Sequence, residues 1–199
     1  MKQMFSTLII GAAMTGIATY SEAQTLNVVV GNVTYAIPSS QAGDMNYADG
    51  STLTVMGKTI NVSDITHMYV DNSEVEDNTV SVSYNGTSAT VTVAGNVAQY
   101  VMPTVSGAHV SITQDDAVSD QTCGEIIYAL TGSSEDGEFA MNGSYKASIE
   151  LRGVSLTNPS GAPLDIQNGK RISLSIKKDT ENTLTDATGG SQKGWVTLS

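Results

Sequence analysis

Residues 147–176 read ASIELRGVSLTNPSGAPLDIQNGKRISLSI. Ile149 and Leu151 alternate with polar neighbours, and the same pair recurs 23 residues later as Ile172 and Leu174 (149 to 172, 151 to 174). Between them Val154/Leu156 and Leu164/Ile166 add further alternating pairs, separated by Pro159-Ser160-Gly161 and Asn168-Gly169. Alternation marks half-buried strands, and the Gly, Pro and Asn clusters mark turns. No helical period runs between the pairs. Short strands repeating at roughly 20 residues predict a right-handed parallel β-helix, each coil one rung stacked about 4.8 Å from the next. An antiparallel β-sandwich is the alternative, because its strands recur every 8–12 residues or so and pairs at that spacing are present too.

Working outward, similar aliphatic pairs stand at Val110/Ile112 and Val91/Val93, and Asn85-Gly86 between Val80-Ser81-Val82 and Val91 signals a hairpin. Before these, residues 24–78 read as a small β module. Leu26, Val28 and Val30 alternate, Gly31-Asn32 turns the chain, and Val33, Tyr35 and Ile37 alternate again; Asp49-Gly50 signals a second turn. Its last residues, Asp71 to Asn78, form an acidic polar stretch that reads as a linker, so 79–199 is expected to be the coiled domain, with few rungs. A coil cannot bury its apolar face alone and is stable only when stacked, so terminal rungs need caps. The N-terminal module is placed to be one.

Residues 1–23 have the layout of an export signal: Lys2, an apolar stretch from Leu8 to about Ala18, then Ser21-Glu22-Ala23 at the cleavage point. The apolar stretch is short of the roughly 20 residues that span a bilayer. A secreted, periplasmic or cell-surface protein is expected. The net charge is −11, which disfavours nucleic acids and anionic lipid surfaces as partners. Cys123 is the only cysteine, so no disulfide closes within the chain, and it reads as a small packing residue rather than a nucleophile.

Within Val110–Asp186 a combination of motifs carries a resemblance: Gly124-Glu125-Ile126-Ile127-Tyr128-Ala129-Leu130-Thr131-Gly132, then Asp136-Gly137-Glu138-Phe139, then Leu151-Arg152-Gly153-Val154-Ser155-Leu156-Thr157-Asn158, and last Glu181-Asn182-Thr183-Leu184-Thr185-Asp186. In that order they resemble the secreted carbohydrate-binding β-helix proteins of polysaccharide-degrading bacteria. The resemblance implies a polysaccharide partner, acidic plant polymers such as polygalacturonate among them, with calcium as an associated cation. Relatives continue through further rungs after the last motif, whereas this chain passes Gly189-Gly190 and stops at Trp195-Val196-Thr197-Leu198-Ser199. A partial domain with an open last rung is the expectation.

Candidate site residues follow from chemistry. Asp115, Asp116 and Asp120 offer hard oxygen ligands for part of a calcium site, which takes six to eight oxygens. Arg152 and Arg171, the only arginines, stand 19 apart on predicted adjacent rungs and suit a uronate carboxylate clamp. Tyr128 and Tyr145 are the aromatic candidates for a sugar face. The expected role is non-catalytic binding. A structural or adhesive surface module is the alternative, and a polysaccharide lyase using calcium and a basic residue is the enzymatic one. No zinc motif, phosphate loop or Ser-His-Asp order is present.

Overall fold

A computed structural model describes residues 24–188 and 196–198. The signal-like stretch 1–23 and Trp195 lie outside the described residues.

The chain is all-β, with several sheets. The alternating N-terminal residues form a hairpin of β1 (Thr25–Val30) and β2 (Val33–Pro38), closed at Gly31, whose φ of 57° is left-handed. Three short antiparallel strands follow, β3 (Asn46–Ala48), β4 (Thr52–Val55) and β5 (Lys58–Asn61). The three-residue loop 49–51 between the first two has positive φ at Asp49 and Gly50, the left-handed backbone that the Asp-Gly pair favours. The next strand, β6 (His67–Asp71), returns to pair antiparallel with β1. A second hairpin, β7 (Thr79–Asn85) and β8 (Ser88–Ala94), carries the predicted Asn85-Gly86 turn. Here β8 lies parallel to β2, so the segments before and after residue 78 share one sheet.

The antiparallel pair β9 (Val101–Ser106) and β10 (His109–Gln114) leads into the second half. From there the strands are β11 (Ile126–Ser134), β12 (Glu138–Gly143), β13 (Ala147–Thr157), β14 (Leu164–Asn168), β15 (Ile172–Ile176), β16 (Thr183–Thr185) and β17 (Val196–Leu198). Every pair these seven make is parallel. The chain alternates between two sheets as it goes. Among the described residues, one sheet has the order β15-β13-β11-β7-β8-β2-β1-β6 with β16 beside the far end of β13, and the other β17-β14-β12-β10-β9.

The periodic pairs land in matching rows. Val28, Tyr35, Val93, Val80, Tyr128 and Ile149 face one another strand by strand across the large sheet. Val110, Phe139 and Leu164 do so across the other. All nine are buried, and they belong to a single core that runs from Leu26 to Ile166. The Tyr84 hydroxyl crosses between the sheets to donate to the Glu138 carbonyl at 2.9 Å.

Two glycines of the quoted motifs have left-handed backbone inside strands rather than at turns. Gly132 in β11 has φ 83° and Gly153 in β13 has φ 87°. They lie close together in neighbouring strands, Gly132 facing Val154, and the pairing register shifts just before Gly132. Each long strand is thereby bent into two limbs. The bend at Gly153 is held from the next segment, where Asn182 Oδ1 accepts from the Gly153 and Val154 amides at 3.0 and 2.8 Å. A Cβ on Gly132 would collide with the Tyr84 carbonyl, whereas one on Gly153 would meet only Thr180 at 4.0 Å.

Where β10 lies parallel to β12, His109 stands between two carboxylates, Nδ1 at 3.1 Å from Glu138 and Nε2 at 3.1 Å from Asp136. Burial lowers the affinity of the ring for its proton, but the bonds to Glu138 and Asp136 outweigh that, and the pKa rises above its ordinary 6.5.

Two outcomes are expected. Gly132→Ala combines left-handed backbone with a backbone collision and destabilises by about 2 kcal/mol or more, while Gly153→Ala costs about 1 kcal/mol; urea unfolding of both variants measures the difference. Because the folded-state pKa of His109 is raised, its stabilisation is full below pH 6.5 and fades as pH climbs through the folded value. The melting temperature lost in His109→Gln is therefore larger at pH 5.5 than at pH 8.5. An equal loss at both would remove the charged bridge.

Candidate functional site

Stacked strands end at the same level, so their connecting turns stack too. One corner of the second half collects the turn 115–125 after β10, the turn 144–146 after β12 and the turn 169–171 after β14. Five of the seven candidate residues fall here: Asp115, Asp116, Asp120, Tyr145 and Arg171.

Tyr145 is its centre. Its amide donates to Gln114 Oε1 at 3.1 Å, and its carbonyl accepts from Asn168 Nδ2 at 2.8 Å, so it is pinned to the ends of β10 and β14. The Tyr145 phenol faces the Asp120 carboxylate closely enough to shift it, and Lys146 Nζ lies 3.0 Å from the same carboxylate and 5.5 Å above the Tyr145 ring. Tyr145 and Lys146 together hold Asp120 below the usual carboxylate range, and Asp120 in return raises the phenol of Tyr145 and the ammonium of Lys146. Nearby, Arg171 Nη2 reaches Glu125 at 3.1 Å and Nη1 donates to Ser173 at 3.0 Å, while Ser148 donates to Glu125 at 2.6 Å. The result is an exposed corner of alternating charge with one half-buried aromatic ring.

The three acidic candidates do not form one ligand set. Asp115 accepts from the Ala117 amide at 2.8 Å, Asp116 accepts from Ser144 at 2.8 Å and Asp120 pairs with Lys146. Among the described residues no three His, Cys, Asp or Glu side chains gather as a metal would need. The corner therefore does not fit a calcium cage built by the protein alone.

Arg152 lies in β13 and Arg171 in the turn that leads into its neighbour β15, well apart along the strands. Ala147 faces Ile172, which sets Arg171 level with Lys146 and leaves Arg152 six residues further along, about 20 Å away at 3.3 Å per residue. A clamp made by the two is thus corrected: Arg152 has another task. It grips Glu76 with two nitrogens at 2.8 and 3.0 Å and Glu150 with two at 2.8 and 2.6 Å. Lys177 adds a second ion pair to Glu150 at 3.0 Å. Burial pushes the Glu150 carboxyl up, but Lys177 and Arg152 pull harder, and it lies below the usual range. Tyr128 is also corrected, because it is 0% exposed and packs against Phe139 with ring centroids 5.7 Å apart. A face turned wholly into the core offers nothing to a sugar.

Glu76 belongs to the acidic stretch read as a linker. That stretch crosses the outer face of the large sheet between β6 and β7. Thr25 donates to the Ser73 carbonyl at 2.6 Å, Val75 packs on the core, and Glu76 is tied to Arg152. Between this strap and the strands lies a cleft of about 370 Å³, lined by Tyr69, Asn27, Thr34, Thr92 and Ser81 among others. The sequence reading missed the strap and Lys146. The Tyr145-Lys146 neighbours directly after the Asn142-Gly143-Ser144 turn were the signal available for the latter.

A family model described as carbohydrate-binding domain-containing protein matches residues 106–194. That span contains the whole corner and supports a carbohydrate-binding domain in this part of the chain. No curated protein matches the chain, and neither does any solved structure.

Asp120→Asn removes the carboxylate that raises the Tyr145 phenol. The ¹³Cζ resonance of Tyr145 should then titrate at lower pH than in the parent, and an unchanged titration would mean that Asp120 does not face the phenol in solution.

Proposed function

We propose that the chain is a secreted, non-catalytic carbohydrate-binding protein, that residues 79–199 form a short right-handed parallel β-helix, and that the corner around Tyr145 meets the glycan. The observation that carries the reading is the family match over 106–194, which spans all three turns of that corner. The uninterrupted run of parallel pairs from β10 to β17 supports the coil reading.

The proposed ligand class is an acidic plant polysaccharide such as polygalacturonate. A polyuronate meets an overall charge of −11, so attraction has to be local. Lys146, Lys170 and Arg171 supply it within the corner, and Arg171 still has an exposed guanidinium with donors to spare for a carboxylate. The Tyr145 ring and the Ser144 side chain offer the apolar and hydrogen-bonding contacts that sugars use. Since the acidic residues do not build a calcium cage, direct pairing of uronate carboxylates with Lys146 and Arg171 is the expected mode.

Affinity electrophoresis of the full chain through polygalacturonate, with calcium and with chelator, tests this. Retardation is expected in both, without release of unsaturated uronate. Lys146→Gln and Arg171→Gln should each weaken it about tenfold, equivalent to about 1.4 kcal/mol. Retardation that vanishes with chelator would replace direct pairing by calcium bridging. Retardation unaffected by either substitution would move the site away from this corner.

A further inference from the structure

The cleft beneath the 71–78 strap lies outside the family-matched span, and it is built differently from the Tyr145 corner. On the outer face of the large sheet Ala36 in β2 faces Ala94 in β8. Their short side chains leave a trough. The strap crosses it without filling it, since Val75 is the strap's one apolar residue. The remaining volume of about 370 Å³ falls in the range of small-ligand sites, about 300–1,000 Å³.

One row along the same face, Thr34, Thr92 and Ser81 face one another across β2, β8 and β7. Neighbouring strands lie about 4.8 Å apart, so three hydroxyls stand in file on the floor. On the β6 side is Tyr69, opposite Asn27 of β1. Its ring stacks on His67 with centroids 5.6 Å apart, which holds it in place, and it stays 43% exposed. Most carboxylates of the strap are engaged. Asp71 accepts from the Ser73 amide and hydroxyl at 3.1 and 2.6 Å, and Arg152 holds both oxygens of Glu76. Among the described residues, the Glu74 carboxylate has no hydrogen bond or ion pair, and neither do the hydroxyls of Thr34, Thr92 and Ser81. No Lys or Arg lines the cleft.

These groups select the occupant. A free carboxylate with no cation beside it turns away anions, polyuronate included. One free carboxylate is too few for a metal cation, and no three acidic or ring ligands gather among the described residues. A wholly apolar ligand would strip water from the file of hydroxyls and return no bond. A neutral sugar meets every group: its hydroxyls exchange bonds with Thr34, Thr92 and Ser81, Glu74 accepts from others, and the apolar face of its ring lies on Tyr69.

We propose that this cleft is a second glycan site, taking a short neutral saccharide through Tyr69, the Thr34, Thr92 and Ser81 hydroxyls and Glu74. The segment before residue 106 then binds ligand in its own right. The site shares no residue with the Tyr145 corner and prefers sugars of different charge, so it goes beyond the polyuronate reading and does not depend on it.

Amide ¹H–¹⁵N spectra of the full chain test it, recorded with neutral tetrasaccharides of glucose, mannose, xylose and galactose, each to about 10 mM, and with tetragalacturonate. With at least one neutral probe the amides of Tyr69, Ser73, Glu74 and Thr92 should shift together, with a Kd of about 1 mM or below. High salt should leave that Kd unchanged, because no ion pair is involved. Tyr69→Ala should weaken binding about tenfold and Thr92→Val about threefold. Thr92 is exposed and valine keeps its β-branched shape, so Thr92→Val leaves the fold intact. Lys146→Gln and Arg171→Gln should not change binding of the neutral probe, and Tyr69→Ala should not change retardation by polygalacturonate, so each site fails or stands by itself. No shift with any neutral probe, shifts confined to other residues, tighter binding of tetragalacturonate than of the neutral probes at the cleft, or binding indifferent to both Tyr69→Ala and Thr92→Val would overturn the proposal.

Discussion

Everything in this molecule rests on strands that stack in register. A parallel ladder forces residue i of one strand to lie beside a fixed residue of the next, and the side chains must then agree along the row. Tyr128 lies between Val80 and Ile149, and Phe139 between Val110 and Leu164. One residue of slippage would turn each row inside out, exchanging Tyr128 and Leu130 for Ile127 and Ala129. The turns have no comparable constraint. They differ in length, and this freedom lets the turn at 115–125 carry charge and the turn at 144–146 carry an aromatic ring while the strands behind them stay aligned. The candidate site is a by-product of alignment: strands that begin and end together deliver their turns to one edge.

Strands and most turns were legible because alternation and Asn-Gly or Asp-Gly pairs act locally. The repeat of Ile149/Leu151 at Ile172/Leu174 was legible for the same reason, though the registers differ from the sequence offset. Ile149 faces Leu174, 25 positions on, not Ile172. A turn can take up two residues without disturbing the rows, so the period in the sequence is looser than the spacing in space. Gly132 and Gly153 are bends inside strands, not turns. What a glycine declares is left-handed backbone, and a bent strand meets that need as well as a turn does.

The site was less legible, and for a physical reason. Asp115, Asp116 and Asp120 are close in sequence, but their hydrogen bonds go to three different partners. Two of those, Ser144 and Lys146, are more than twenty residues away. Arg152 and Arg171 looked paired on spacing alone, but a spacing of 19 does not match the 25-residue register between β13 and β15 at that point. Arg152 instead found Glu76, far upstream, through a crossing that no local pattern announces. The burial of Tyr128 was open to reading, since it occupies an inward position between Ile126 and Leu130.

The crossing itself constrains the chain. Between Asp71 and Thr79 the backbone passes from β6 to β7 over three intervening strands, four strand spacings or about 19 Å. Eight residue steps reach about 27 Å when fully extended. The segment therefore has limited slack, and it spans the sheet as a tie that ends in a turn at Asp77-Asn78. A tie of this length loses little freedom when the two halves of the sheet come together, and it keeps them at high local concentration while β2 finds β8. Shortening it by two or three residues would leave too little reach, whereas lengthening it would be tolerated by the strands and would loosen only the cover over the cleft.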